Sequence, residues 1–214
     1  MFRADGRWPA AEDGLDPYPI WIAEVMLQQT QLQVVLPYWQ RWMQAFPRLE
    51  VLASASEQQV LLIWQGLGYY SRARRLHSTS RLLLAELQRH LGDVNDSMPF
   101  SDWPVDPETW LAFPGIGRST AGGILSSAFN SPLAILDGNV RRVLARFYAH
   151  PEPPMRAQAQ FWSWSEGLVD AVPGLSRDLN QALMDLGATV CTPRRPSCEV
   201  CPWDAHCAAY ASGS

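Results

Sequence analysis

The stretch Phe113-Pro-Gly-Ile-Gly-Arg-Ser-Thr-Ala121 leads, after a small and apolar run, into Ile135-Leu-Asp-Gly-Asn-Val-Arg-Arg-Val143. Glycine permits positive φ and close backbone approach, so the first half predicts a tight turn that opens into a helix. The free N–H groups of such a helix start can bind an anion, and Arg118 adds a positive charge. Asp137 is placed to cap a second helix. The pattern is typical either of a phosphate grip followed by a carboxylate or of two capped helices without chemistry.

The composition is that of a globular protein. Of the 214 residues, 47% are hydrophobic and 18% are charged, which excludes a disordered chain and suffices for one large domain or two small ones. No apolar run approaches the ~20 residues of a membrane helix, and residues 1–7 lack an apolar signal segment. We therefore expect a cytoplasmic protein that has no membrane partner.

The basic residues have two unusual properties. Although the net charge is −4, arginines cluster at residues 72–75, 141–146 and 194–195. A local patch of this kind can bind phosphate within an acidic chain, but each cluster alone is more typical of a solvated helix face. All 17 basic residues are arginine, so no lysine side chain can form a Schiff base.

Helical periodicity runs through the chain, and no segment alternates as a strand does. We therefore predict an all-α fold packed around two cores. Prolines and capping residues mark the helix ends. The predicted helices cover residues 20–35, 37–46, 56–65, 69–91, 106–113, 118–129, 137–148, 156–171 and 176–190, with a loop over 92–106.

All four cysteines lie within the last part of the chain, at Cys191, Cys198, Cys201 and Cys207. Disulfides usually join distant segments in oxidising compartments, whereas four cysteines within 17 residues indicate one metal centre. Four thiolates suit either tetrahedral zinc or a [4Fe-4S] cluster, and the spacing alone does not distinguish them. Two arginines in the first interval would be held rigid by such a centre.

Glu24 is the candidate acid, because it lies in the apolar segment Trp21-Ile-Ala-Glu-Val-Met-Leu27. A buried carboxylate is disfavoured unless it is paired or used, and burial would raise its pKa towards neutrality. The alternative is an exposed glutamate beside Gln28 on a polar helix face. With Asp137, Glu24 offers the two carboxylates that glycosidic cleavage commonly needs. Hydrolysis of an N-glycoside fits this pair, since a nucleobase departs more easily when protonated.

Five motifs together resemble the MutY adenine DNA glycosylases, which form a helix-hairpin-helix superfamily with endonuclease III. The motifs are Glu24-Val-Met-Leu-Gln-Gln-Thr-Gln31, Gly66-Leu-Gly-Tyr-Tyr-Ser-Arg72, Pro114-Gly-Ile-Gly-Arg-Ser-Thr-Ala121, Leu136-Asp-Gly-Asn-Val-Arg-Arg142 and the cysteine pattern. The resemblance implies a six-helix module at 16–131, an iron–sulfur module formed by 1–15 and 132–214, and an active-site cleft between them.

The resemblance also implies an activity. The enzyme would flip and remove adenine mispaired with 8-oxoguanine or guanine in double-stranded DNA, and we expect it to be a monomer. Glu24 would protonate the adenine and assist water, while Asp137, with Asn139 beside it, would stabilise the sugar cation. The four cysteines would hold a [4Fe-4S] cluster. Ser119 stands where related lyases carry lysine, so water rather than an amine would capture the sugar.

Further residues are assigned to DNA by the same resemblance. Gln29 and Tyr69 would wedge into the duplex, and Thr30 and Leu67 would lie near the orphaned base. Leu27 and Gln181 would line the adenine pocket. Gly115 and Gly117 would hold a phosphate. The remaining candidate contacts flank these motifs and are Gln28, Gly68, Tyr70, Arg118 and Thr120.

The chain departs from the family in its extent and in its first residues. Family members usually continue into a MutT-like domain, which has no counterpart here, so the sequence is expected to be the catalytic domain alone. Only Arg7-Trp8-Pro9 is similar to the family's N-terminal element. Two other functions fit the motifs: a mismatch glycosylase of the same superfamily acting on thymine opposite guanine, and a non-catalytic DNA-binding module with an iron–sulfur scaffold.

Overall fold

A computed structural model describes residues 14–91, 102–151 and 156–213. Every regular element in these ranges is helical, which confirms the all-α prediction. The N-terminal arm with Trp8 and most of the loop predicted over 92–106 lie outside the described residues. The chain forms two compact units, Met1–Phe129 and Asn130–Ser214. The family resemblance implies a boundary between residues 131 and 132. Among the described helices, none combines the length and the apolar character that crossing a membrane requires.

Seven helices are described in the first unit. They are α1 (Pro17–Leu27), α2 (Leu32–Ala45), α3 (Leu49–Ser54), α4 (Glu57–Trp64), α5 (Tyr70–Leu91), α6 (Pro107–Leu111) and α7 (Arg118–Phe129). Side-chain caps start several of them, as short polar residues before a helix usually do. Asp16 accepts a hydrogen bond from Tyr18 N at 2.9 Å, Ser56 forms a capping box with Gln59, and Asp106 accepts one from Thr109 N at 2.9 Å.

Tryptophans fill the core of the first unit. Trp21, Trp42, Trp64 and Trp110 are fully buried. Trp42 meets Trp64 edge to face at 5.6 Å between ring centroids, and Trp21 meets Trp110 in the same way at 6.2 Å. Such contacts add stabilisation to the burial of these large rings. The core therefore fixes α1, α2, α4 and α6 relative to one another.

The second unit contains four α-helices within its described residues. They are α8 (Gly138–Phe147), α9 (Gln158–Asp170), α10 (Ser176–Asp185) and α11 (Ala208–Ala211), and α10 continues into a π-helical turn over Leu186–Val190. Short 3₁₀ turns cover Cys198–Val200 and Asp204–His206. The core of this unit is aliphatic and aromatic, with Leu136, Val140, Leu144, Phe161, Val169 and Leu183 among its buried members.

The predicted first helix, residues 20–35, is wrong because two helices occupy this segment. α1 ends at Leu27, since Gln29 adopts a left-handed conformation with φ 58° and Thr30 N bonds back to Leu27 O at 3.2 Å. α2 begins at Leu32, so Pro37, predicted in the first turn of a helix, lies inside α2. α3 was not predicted, and the last predicted helix, 176–190, is α10 followed by the π-helical turn.

Candidate active site and nucleic-acid interface

Glu24 lies in the last two turns of α1 and is half-buried, between the polar and buried alternatives left open by the sequence. Its carboxylate lies directly against Gly123 of α7. A Cβ placed on Gly123 would be 2.6 Å from Oε2 and 2.9 Å from Cδ of Glu24. The absence of a side chain at position 123 therefore makes room for the carboxylate on the backbone of α7.

The glycine turn precedes α7 as predicted. Gly115 has a φ of 84°, and a Cβ there would lie 3.0 Å from Cδ of Arg75, so glycine is required both by conformation and by space. Gly117 has open space around its Cα. Arg118, Ser119 and Thr120 form the first turn of α7, whose early N–H groups have no helical acceptors by construction.

Gln28 connects the loop after α1 to this turn. Its Nε2 donates to Gly115 O at 3.3 Å and to Thr120 Oγ1 at 3.1 Å. These bonds join residues 87 and 92 positions apart. The segments that the resemblance assigns to DNA are thus linked through the Gln28 amide within the first unit.

The loop between α4 and α5 covers residues 65–69. Gly66 and Gly68 have φ values of 98° and 78°, and Tyr69, a non-glycine residue, has a φ of 49°. Leu67 is buried and points into the core, whereas Tyr69 is 59% exposed and its neighbour Tyr70 is 40% exposed. Tyr69 in this loop and Tyr70 at the start of α5 are therefore large side chains available at the surface. Leu27, assigned to the adenine pocket, is half-buried at the end of α1.

Asp137 starts α8 in the second unit and caps it, as the sequence predicted. Oδ1 accepts a hydrogen bond from Val140 N at 2.8 Å, and Oδ2 accepts one from Asn139 Nδ2 at 3.2 Å. The helix dipole favours a negative charge at this position. The carboxylate is therefore fixed through both oxygens at the amino end of a helix, with Asn139 bound to it.

Arg142 holds Asn139 in place, and sequence reasoning did not assign it a role. Its guanidinium donates to Asn139 Oδ1 at 2.8 Å, to Gly187 O at 2.6 Å and to Cys191 O at 2.8 Å. Gly187 packs so closely that a Cβ there would lie 2.6 Å from Cβ of Asn139. The sequence shows a Val-Arg-Arg run after Asp137, but only the structure distinguishes Arg142 from an arginine of a solvated basic cluster.

Gln181, assigned to the adenine pocket, donates from Nε2 to Asp185 Oδ1 at 2.8 Å within α10.

The four cysteines line one cavity of about 220 Å³, together with Arg146 and Trp203. All four are free thiols. Arg146 donates to Cys191 Sγ at 3.3 Å and to Thr192 O at 2.7 Å. Burial raises the pKa of the Cys198 thiol, the three other cysteines raise it further, and Arg146 lowers it.

Four cysteine thiols around one cavity are a donor set that suits either a zinc ion or an iron–sulfur cluster. Within the described ranges, no three His, Cys, Asp or Glu side chains form a group that could hold a metal ion. Zinc would draw four sulfurs to about 2.3 Å from one centre, whereas a multi-iron cluster needs thiolates spread around a larger volume. The cavity lined by the four thiols provides the ligands that either centre requires.

Most of the chain is similar in sequence to known DNA repair proteins. The family model described as HhH-GPD superfamily base excision DNA repair protein matches residues 22–166. The chain is 44% identical over 195 residues to the adenine DNA glycosylase of Mus musculus, covering 90% of this chain and 35% of that protein. It is 40% identical over 198 residues to that of Schizosaccharomyces pombe, covering 90% of this chain and 40% of the relative. The chain thus spans less than half the length of these relatives.

Solved structures share the fold. A thermostable thymine-DNA glycosylase matches with a TM-score of 0.77 and 26% identity, covering 98% of this chain and 91% of that one. Endonuclease III in a non-covalent DNA complex matches with a TM-score of 0.72 and 19% identity, covering 96% and 89%. The second likeness concerns the fold alone.

Proposed function

The chain belongs to the HhH-GPD superfamily of base excision DNA repair proteins, and we propose that it is a DNA glycosylase that hydrolyses the N-glycosidic bond of adenine mispaired with 8-oxoguanine or guanine. The observation that carries this proposal is the half-buried carboxylate of Glu24 in α1, which packs against Gly123 of α7, the helix that follows the glycine turn. The 44% identity with an adenine DNA glycosylase supports adenine as the base.

The chemistry divides between two carboxylates. Glu24 donates a proton to the departing adenine, which leaves with the electron pair of the glycosidic bond. The carboxylate of Asp137, at the start of α8, stabilises the positive charge that develops on the sugar. Water then bonds to the sugar carbon and returns a proton to Glu24. Because the chain has no lysine, no lysine side chain competes with water, and the product is an intact abasic site.

The DNA contacts follow from the same assignment. Gln29 inserts into the duplex from the loop between α1 and α2, and Tyr69 inserts from the loop between α4 and α5. The neighbouring residues Tyr70, Gly68, Thr30 and Gln28 lie beside them. The glycine turn, with Gly115, Gly117, Arg118 and Thr120, binds a phosphate through backbone N–H groups. Gln181 and Leu27 contact the adenine, and Leu67 lies near the orphaned base. Double-stranded DNA with a mismatched adenine is the partner, and the protein acts as a monomer in the cytoplasm.

A [4Fe-4S] cluster held by Cys191, Cys198, Cys201 and Cys207 completes the proposal. When bound, it would supply a rigid cross-link for the segment that contains Arg194 and Arg195. The four free cysteines that line one cavity support a metal centre at this place, and the resemblance to the MutY family favours iron–sulfur over zinc. A broad absorbance band in the blue region that disappears on acidification is expected for purified protein, whereas colourless protein with bound zinc would contradict the cluster.

Strand chemistry tests the activity. A duplex with adenine opposite 8-oxoguanine should acquire an abasic site that is cut only after alkali is added. Glu24→Gln should abolish adenine release and retain DNA binding, because the amide cannot donate the carboxyl proton. Glu57→Gln is the matched control, since Glu57 pairs with Arg74 on the surface at 2.9 Å. Turnover by Glu24→Gln would refute the assigned acid.

A mismatch panel separates the competing functions. The likeness to a thermostable thymine-DNA glycosylase favours thymine opposite guanine as the second candidate substrate. Activity on that mismatch alone would reject adenine as the substrate. Binding of all duplexes without release of any base would indicate a non-catalytic DNA-binding module.

A further inference from the structure

Arg72 belongs to α5, and its side chain is a buried cation that contacts the C-terminal end of α1. It is 7% exposed, and its guanidinium donates to Met26 O at 2.8 Å, to Val25 O at 3.2 Å and to Gln28 O. It also donates to Thr30 Oγ1 at 3.0 Å. The last carbonyls of a helix lack intrahelical donors. Arg72 therefore supplies the missing donors for α1 and fixes the loop that follows.

The same residue contacts the loop over residues 65–69. Its backbone N donates to Tyr69 O at 2.9 Å, and its guanidinium carbon lies 5.1 Å from the Tyr69 ring centroid and 5.4 Å from that of Trp64. Trp64 in turn donates from Nε1 to Gly68 O at 2.8 Å. Cation–π contacts are stronger when the cation is desolvated, as it is here.

Both loops carry a strained residue. Gln29 and Tyr69 have φ values of 58° and 49°. The left-handed region is unfavourable for residues other than glycine. Such residues persist only where the surroundings hold them, and they cluster at functional positions. Arg72 bonds to the residues on either side of Gln29 and to Tyr69 itself.

We propose that Arg72 is the positioning residue that fixes the spacing of Gln29 and Tyr69, and that it thereby sets the rate at which the target base is extruded from the duplex. This inference rests on the proposed function. Two wedges must enter the base stack together, so holding them in one geometry before binding removes an entropic barrier. A lysine retains the charge but replaces the planar fork by a single point of donation.

Arg81 supplies a matched control. It lies on the same helix, α5, and its guanidinium likewise donates to helix-end carbonyls, at 3.2 Å to Ala53 O and at 3.2 Å to Ala55 O. Arg81→Lys therefore makes the same chemical change at a site that contacts neither loop. The comparison separates the loss of a carbonyl cap from the loss of wedge positioning.

The test combines two measurements on Arg72→Lys, Arg72→Met and Arg81→Lys. The first is stopped-flow fluorescence of a duplex with 2-aminopurine opposite 8-oxoguanine, whose signal rises on unstacking. Both Arg72 variants should extrude the base about tenfold or more slowly than wild type, and Arg81→Lys should not. The second is amide hydrogen exchange of the free protein. Exchange should accelerate at 28–31 and 66–70 in both Arg72 variants and stay unchanged in Arg81→Lys.

The two failures are distinguishable. A wild-type protein that releases no adenine would refute the proposed function, while the exchange measurement would still test the positioning by Arg72. Unchanged exchange in both loops, or wild-type extrusion by Arg72→Lys, would overturn the inference. If Arg72→Met does not fold, Arg72→Lys decides the question, since it retains the charge and the aliphatic stem.

Discussion

Replacing Gly187 by alanine should separate the π-helical turn from α8. An added Cβ would lie 2.6 Å from Cβ of Asn139 and 3.0 Å from its Cα and carbonyl carbon. Ordinary contact begins near 3.4 Å, so the segments must move apart by about 0.8 Å. No rotation of a side chain relieves this, because two of the three contacted atoms are backbone atoms. The φ of Gly187 lies outside the left-handed region, so the effect is steric.

The size of the effect follows from two contributions. Overpacking costs about 1–3 kcal/mol, and a stretched bond from Arg142 to Gly187 O, now 2.6 Å, adds about 1 kcal/mol. We expect the free energy of unfolding to fall by roughly 2–4 kcal/mol. Since Asn139 is bound to Asp137, the shift should also slow adenine release, by about ten- to a hundredfold.

Urea denaturation and single-turnover adenine release measure these effects. Gly167→Ala is the matched control, because Gly167 lies in α9 and a Cβ there meets no atom within 4 Å. Alanine at that helical position should stabilise the protein by about 0.5–1 kcal/mol. Equal stability changes in Gly187→Ala and Gly167→Ala would refute the steric reasoning.

Three further outcomes are expected. Cys198→Ser should lower iron content and visible absorbance, as measured on purified protein; the exposed Ser212→Ala is a control. Burial lowers the pKa of His77 below its usual 6.5, and Arg81 lowers it further. The unfolded chain therefore binds a proton that the folded chain excludes, so the free energy of unfolding should fall as the pH drops through about 6.5. Urea titrations at several pH values should show a shallower fall of this free energy for His77→Gln. Ser56→Ala removes the acceptor for Gln59 N at 3.2 Å and should destabilise the fold by about 1 kcal/mol in thermal unfolding.

Features that depend on neighbouring residues were predictable from the sequence. The caps at Asp106 and Asp137 and the positive φ of Gly115 follow from the chemistry of a few consecutive residues, and the structure confirms each of them. The resemblance to adenine DNA glycosylases is also confirmed, since curated members of that family are 32–44% identical to this chain over about 90% of its length. Local signals and motif order were sufficient for both.

Features that depend on distant residues were not predictable. The carbonyls at the end of α1 are bound by Arg72, which lies more than 40 positions away in the sequence. Periodicity also could not place the Glu24 carboxylate, since its position depends on an absent side chain at Gly123. The arginine at 72 looked like part of a solvated cluster, yet it is 7% exposed. Burial of a charge is decided by partners that only the folded chain assembles.

The left-handed backbone at Gln29 and Tyr69 implies a conflict between durability and activity. Glycine adopts these φ values without strain, so selection for heat resistance alone should replace both residues by glycine. The side chains of Gln29 and Tyr69 thus stand at positions where the fold alone would favour glycine. Stabilised variants obtained without an activity screen should accumulate changes at these two positions and lose repair capacity as they gain melting temperature.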